Sequence, residues 1–193
     1  MEHARTPPAQ MSGGGSHHPD HPSSSSSSDD ISDAGTSPEA QAVLRAAELG
    51  RTEDLERLLR QQPDLVSCRD CDMYTPLHRA AYNGHVSCVQ LLLRLGADPH
   101  ARSTEGWQPL HSAVKWGHAE VASMLLSAGA DINAQTNGGL TPAHIVSMGK
   151  DARIMRFVLF HPDVDLEVRS SAGELPRHVA QRCSPCHRLF LYV

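Results

Sequence analysis

Two cysteine pairs are the residues of this sequence best suited to chemistry. Cys68/Cys71 and Cys183/Cys186 each have the Cys-x-x-Cys spacing with which thiolates hold two corners of a tetrahedral zinc site. His187 directly follows the second pair and is a candidate third ligand. The run 183–187 also fits the haem-attachment pattern Cys-x-x-Cys-His. Both interpretations depend on where the fold places the two pairs.

The 13 histidines are candidate general bases and metal ligands, but they do not converge on a nucleophile. Four of them recur at one position of a repeated motif: His78, His111, His144 and His178. No nucleophile, base and acid recur together, and the sequence has no Gly-rich phosphate loop. We therefore predict no catalytic residue, no cofactor and no enzymatic activity.

A tetrapeptide motif recurs with a strict period of 33 residues. Thr75-Pro76-Leu77-His78 returns as Gln108-Pro109-Leu110-His111 and again as Thr141-Pro142-Ala143-His144. A fixed period of this length indicates a stack of similar units, and the surface of such a stack carries its function. The sequence therefore favours a binding protein over an enzyme.

Each copy of the motif predicts a helix, a turn and a second helix. The hydroxyl of Thr75 can cap a helix N-terminus, and Pro76 has no N–H that the first turn would leave unpaired. Gly84 stands where a short helix must turn, since glycine adopts positive φ without a steric penalty. The apolar run 89–93 gives the second helix a buried stripe, which Gly96 ends. One such unit cannot bury its own apolar face, so neighbouring units must stack.

The repeated motif resembles that of ankyrin repeats, whose 33-residue unit carries Thr-Pro-Leu-His-x-Ala. The resemblance covers about residues 37–193 and implies an all-α repeat solenoid of about five stacked units, each a helix-turn-helix with an extended loop. The terminal units are degenerate, and Leu175 cannot cap its helix as Thr75 does. We assign the units to residues 37–69, 70–102, 103–135, 136–169 and 170–193.

The stacked arrangement bears directly on the cysteines, because the two pairs then belong to units about three apart. Neighbouring helices pack roughly 8–10 Å from each other, so the four thiolates cannot reach one zinc ion within one chain. We therefore predict no metal site and free, reduced thiols, as expected of an intracellular protein. A single pair completed by His187, haem attachment, and a thiol-based metal or redox role remain the alternatives.

The net charge of −5 is concentrated in the N-terminal part of the chain. Residues 1–38 contain five acidic residues and one arginine, whereas the remainder contains 17 acidic and 16 basic residues. The repeats have no basic cluster, and Lys115 and Lys150 are the only lysines, so we expect no direct binding to nucleic acid. No apolar run of membrane-spanning length occurs. We expect a monomer of the nucleus, with the cytoplasm as a further compartment, and no membrane partner.

Residues 1–36 are predicted to form a disordered tail. They contain Pro, Gly and a run of six serines at 23–28 followed by two aspartates. Such a composition offers too little apolar area to offset the entropy of ordering. The tail is either a passive solubilising segment or a kinase substrate. Ser26 and Ser27 fit acid-directed kinases, and Ser37 fits proline-directed ones.

The resemblance implies that a protein partner binds the concave face, which is formed by the loops and the first helices. The variable positions of that face are the residue before the motif and the two residues after its alanines. They are occupied by Tyr74, Tyr82, Asn83, Trp107, Lys115, Trp116, Leu140 and Met148.

Both tryptophans and two of the three tyrosines of the chain lie among these eight positions. Since Trp and Tyr are enriched at interface hot spots, we predict that the eight residues bind the partner. The alternative is that Trp107 and Trp116 pack on neighbouring loops and stiffen the stack.

The sequence therefore predicts a non-enzymatic adaptor for protein–protein interaction. A closer resemblance to one ankyrin-repeat member implies a nuclear role that promotes gene expression through partner proteins. The main alternative is an ankyrin-type inhibitor that sequesters a kinase or a transcription factor. The apolar run 189–193 either covers the last unit or forms a second contact surface.

Overall fold

The computed structural model describes residues 36–193, and within this range all regular structure is helical. The predicted tail lies outside the described residues except for Thr36. The α-helices are α1 Pro38–Glu48, α2 Thr52–Gln61, α3 Pro76–Asn83, α4 Val86–Arg94, α5 Pro109–Lys115, α6 Ala119–Ser127, α7 Pro142–Ser147, α8 Ala152–Leu159 and α9 Pro176–Cys183. Two short 3-10 helices lie at Pro63–Ser67 and His187–Leu191.

The recurring motif starts a helix each time it appears. The backbone N–H of Thr75 donates to Nδ1 of His78 at 3.1 Å, and the Thr75 hydroxyl accepts from the His78 N–H at 3.4 Å. Proline occupies the first helical position, where a missing N–H costs nothing. The same pattern starts α7 at Thr141. Before α9, Leu175 makes no side-chain cap, as the sequence predicts.

The helices form two rows. The first helices of the units, α1, α3, α5, α7 and α9, each pack against the next in order. The second helices α2, α4, α6 and α8 form a parallel row, and each is joined to its own first helix. The core lies between the rows and includes the fully buried Leu77, Leu92, Leu110, Leu125 and Met155. The prediction of an all-α repeat solenoid is confirmed.

The loops between units are also joined to one another. One backbone hydrogen bond links each pair of successive loops: Thr104 N to Asp72 O at 2.9 Å, Asn137 N to Glu105 O at 3.0 Å, and Ser171 N to Gly138 O at 2.9 Å. Gly139 has φ of +70°, and a Cβ there would lie 2.6 Å from the Ser171 nitrogen, so this contact requires glycine. The equivalent position of the second unit holds Met73, which adopts φ of +64°.

None of the helices within residues 36–193 is both long and apolar enough to cross a bilayer.

Candidate partner-binding surface

Three of the four motif histidines bind the loop that follows their own pair of helices. Nε2 of His78 donates to the Trp107 carbonyl at 3.0 Å, and Nε2 of His111 donates to the Ala134 carbonyl at 2.9 Å. Nε2 of His144 donates likewise to Glu174 at 3.0 Å. Because Nδ1 of each ring accepts a backbone N–H, the neutral tautomer with its proton on Nε2 fits every contact. These histidines are structural, and their rings are not available for chemistry.

Burial favours the neutral form of the His78, His111 and His144 rings. His78 and His111 are fully buried, and this burial lowers the pKa of each imidazole to about 4. Burial also lowers the pKa of His144. A protonated ring would lose the acceptor at Nδ1 and would place a charge in an apolar environment. The loop end of the stack therefore depends on neutral imidazoles.

Tyr74 and Trp107 pack against this row of histidines. The ring centroids of Tyr74 and His78 are 5.2 Å apart, and those of Trp107 and His111 are 6.0 Å apart, both edge-on. Trp107 is half-buried and packs against the core, and Leu140 does so at the same position of the following unit. Much of each of these side chains is thus used by the stack itself.

Tyr82 and Trp116 form a second aromatic pair at the other end of the first helices. Their ring centroids are 4.8 Å apart with planes tilted by 60°. Trp116 is 51% exposed, although an indole of this size normally lies mostly buried. Asn83 and Lys115, which neighbour the pair in sequence, are exposed as well.

A second set of histidines supports this turn end. Nε2 of His85 donates to the Glu48 carbonyl at 2.9 Å, and Nε2 of His118 donates to the Tyr82 carbonyl at 3.0 Å. Each ring covers the glycine of the preceding turn, since a Cβ on Gly84 would lie 2.5 Å from the His118 ring. The hydrogen bond from His118 fixes the backbone of Tyr82, and with it the base on which the Trp116 ring rests.

The row of turn histidines stops after His118. Asp151 occupies the corresponding place in the next unit, and instead of donating to the preceding turn it caps α8 by accepting the Arg153 N–H at 2.8 Å. A cavity of 170 Å³ remains beside Gly117 and Asp151, and Lys115, Trp116 and Lys150 line it as well. We call this space the turn cavity.

The structure divides the eight predicted site residues into two groups. Tyr82, Asn83, Lys115 and Trp116 lie at the turn end, with the half-buried Met148 at the corresponding turn of the following unit. Tyr74, Trp107 and Leu140 lie at the loop end, each just before the helix that carries its motif. Sequence reasoning missed Lys150 and Asp151. The available signal was that Asp151 stands in the register of His85 and His118.

The five cysteines are separate thiols in the described part of the chain. All five cysteines are free, and burial raises the pKa of the Cys68 thiol to about 11, which disfavours the reactive thiolate. Within residues 36–193 no three His, Cys, Asp or Glu side chains cluster so as to hold a metal ion. Cys186 donates to the Lys150 carbonyl at 3.6 Å, a contact that belongs to the packing of the last unit.

Comparison with known proteins identifies the repeat. A family model described as ankyrin repeats (3 copies) matches residues 43–136. The chain is 50% identical over 62 residues to ankyrin repeat domain-containing protein 49 of Bos taurus, covering 32% of this chain and 26% of that protein.

Two relatives with other names align with this chain over segments of similar length. Oxysterol-binding protein-related protein 1 of Rattus norvegicus is 47% identical over 64 residues, covering 33% of this chain and 7% of its own length. The 2-5A-dependent ribonuclease of Mus musculus is 38% identical over 65 residues, covering 34% and 9%. The aligned segment thus spans only a small part of each relative, about a quarter at most.

Proposed function

Residues 43–136 make this chain an ankyrin-repeat protein, a class of protein–protein interaction module, and from this premise we propose that it is a non-enzymatic adaptor. The adaptor binds a partner protein through the turn end of its first helices. One observation carries the proposal: Trp116 is 51% exposed while it rests on Tyr82. An indole held in one orientation but left in water loses little rotamer entropy on binding and offers a large apolar area.

The loop-end residues complete the proposed concave surface with a smaller share of the binding energy. Part of the surface of Tyr74 and Trp107 is already covered by His78 and His111. A partner can therefore bury less of their apolar area. Hot spots lie at the centre of an interface and are surrounded by weaker contacts. We assign the centre to Tyr82, Lys115 and Trp116, and the periphery to the other predicted residues.

We further propose that the adaptor acts as a monomer in the nucleus and promotes gene expression through its partners. The basis is the sequence resemblance described above. The nearly balanced charge of the repeats supports contact through proteins, because binding to DNA phosphates requires a cluster of basic residues.

The experiment compares the proteins captured from nuclear and cytosolic extracts by the wild type, Trp116→Ala and Trp107→Ala, using quantitative mass spectrometry. We expect Trp116→Ala to lose a defined set of nuclear proteins, with affinity reduced about 30-fold or more, the range of a hot-spot residue. Circular dichroism should show the same melting temperature as the wild type.

Identical captures by wild type and Trp116→Ala would overturn the site assignment. A kinase or a DNA-binding transcription factor as the main protein lost would replace the adaptor by a sequestering inhibitor. Capture from the cytosolic extract alone would remove the nuclear role.

A further inference from the structure

The turn cavity exists because one side chain of a repeating series is too short to fill it. At the two preceding junctions an imidazole occupies this space, since a Cβ on Gly50 would lie 2.7 Å from the His85 ring and one on Gly84 2.5 Å from the His118 ring. At the third junction the nearest atom to a Cβ on Gly117 is a carboxylate oxygen of Asp151 at 3.4 Å. The missing ring leaves the 170 Å³ space open beside Trp116.

The absent histidine also leaves a backbone acceptor without its donor. The carbonyls of Glu48 and Tyr82 accept from His85 and His118, and the carbonyl in the same register at the third junction belongs to Lys115. No group within residues 36–193 donates to that carbonyl. The lining residue Lys115 therefore carries a backbone acceptor at the register position that a histidine Nε2 reaches in the two preceding units.

The cavity is unusual in its charge as well. Lys115 and Lys150 are the only lysines of the chain, and both line it. Neither takes part in an ion pair within the described residues. The one acidic residue of the lining, Asp151, already binds the Arg153 backbone and lies 3.6 Å from its guanidinium. Val114, Ile145 and Ile154 add apolar walls.

We propose that the turn cavity receives an acidic segment of the partner protein, which names the chemistry of the partner and rests on the proposed function. A carboxylate of that segment pairs with Lys115 and Lys150, and a backbone N–H donates to the Lys115 carbonyl. An apolar side chain next to the carboxylate packs between Trp116 and the apolar wall. Charge pairs at a partly enclosed site set specificity and association rate, and the apolar contact contributes most of the affinity.

The test uses the full chain and a fluorescein-labelled peptide of alternating glutamate and leucine, with binding followed by fluorescence anisotropy. Peptides that alternate lysine or glutamine with leucine are the charge controls. We expect the wild type to bind the glutamate peptide at least tenfold more tightly than either control, and to do so less well as salt is added.

Two variants test the cavity separately, one by filling its space and the other by reversing its charge. Asp151→His should restore the missing ring, fill the space and occupy the Lys115 carbonyl, so that affinity for the glutamate peptide falls at least tenfold while the protein stays folded. Lys115→Glu/Lys150→Glu should give the same loss by reversing the charge. Arg94→Glu is the matched control, since Arg94 is exposed on α4 without an ion pair, and its affinity should stay within twofold.

Equal binding of the three peptides, or unchanged binding by both cavity variants, would overturn the proposal. So would a tenfold gain in affinity on changing Asp29, Asp30 and Asp33 to Asn in the full chain, because the occupant would then be the chain's own acidic segment. If Trp116→Ala loses its captured proteins while both cavity variants keep them, the adaptor function stands and the acidic partner does not. If all three variants keep them, both the turn-end binding site of the proposed function and the acidic partner are wrong; if none of the proteins, the wild type included, captures a partner, the adaptor function fails.

Discussion

The two tryptophans both occupy variable positions of the same unit, but their surroundings in the structure differ. Trp107 lies at the loop end, half-buried against His111, and its carbonyl holds the His78 ring of the preceding unit. Trp116 lies at the turn end, half in water, and touches Tyr82. The loop end is a continuous network of buried imidazoles and backbone groups, whereas the turn end ends in an open cavity.

The difference indicates that stabilising contacts concentrate at one end of these short helices, and the proposed recognition surface lies at the other. The loop end bears contacts that every following unit needs, so its residues are constrained by the stack. The turn end after His118 lacks such a contact, because Asp151 donates no hydrogen bond to the preceding turn. We therefore expect substitutions there to change the proposed binding surface while the protein stays folded.

The largest expected effect is the loss of stability in acid, which arises at the loop end. The pKa of His78 and His111 is lowered from about 6.5 unfolded to about 4 folded. Their contribution is therefore complete above pH 6.5 and is lost as the pH falls towards 4. At pH 5 each histidine should reduce the free energy of unfolding by about 2 kcal/mol relative to pH 7. Urea unfolding at both pH values measures this, and equal stabilities would contradict it.

Removing one ring at each end should give the next largest difference. His111→Ala leaves the Ala134 carbonyl and the Gln108 N–H unpaired in a buried space, so we expect a loss of about 3 kcal/mol. His118→Ala, whose ring is only half-buried, should cost about 1 kcal/mol. Chemical denaturation compares the two variants. A larger loss from the His118 change would reverse our assignment of stability to the loop end.

The two tryptophans themselves provide a smaller but sharper contrast. Trp107→Ala removes a side chain that packs on the core and should reduce the free energy of unfolding by about 2 kcal/mol. Trp116→Ala exchanges an exposed side chain and should stay within about 0.5 kcal/mol of the wild type. Thermal unfolding of both variants under one condition decides the matter, and similar losses would mean that Trp116 also stiffens the stack.

The smallest effect is expected at Met73, where the loop end carries backbone strain. Met73 adopts φ of +64°, while Gly106, Gly139 and Gly173 hold the same position in later units. Met73→Gly should stabilise the protein by about 0.5 kcal/mol, because relief of the left-handed conformation exceeds the added entropy of glycine in the unfolded chain. Met73→Ala is the control and should give no gain, since alanine keeps the strain.

The sequence predicted the repetition well because the same atoms do the same task in each unit. The Thr75–His78 motif fixed three helix starts, and the poor fit of Leu175 correctly marked an uncapped one. A period describes what the units share, so these features follow from it.

The 33-residue period could not predict that the site residues divide into a loop-end group and a turn-end group. Register alone places Trp107 and Trp116 at variable positions, and their different exposure depends on which side chains the neighbouring loop and turn bring to them. The turn cavity arises because Asp151 stands where the series of turn histidines would continue. The sequence shows this substitution, but only the structure shows the space that it leaves. Lys115 and Lys150 are 35 positions apart and meet only in the folded chain.

The hydrogen bonds of the loop-end and turn-end histidines run in opposite directions along the chain. This arrangement determines which changes of chain length the fold tolerates. Loop-end rings donate to the loop that follows their own pair of helices, and turn-end rings donate to the preceding unit. An excision of one whole period keeps the helix pairs in register, whereas an excision of any other length shifts the helices against both series of histidines at once. Length in this protein is therefore counted in whole repeats, and a gene can shorten or extend it only in such steps.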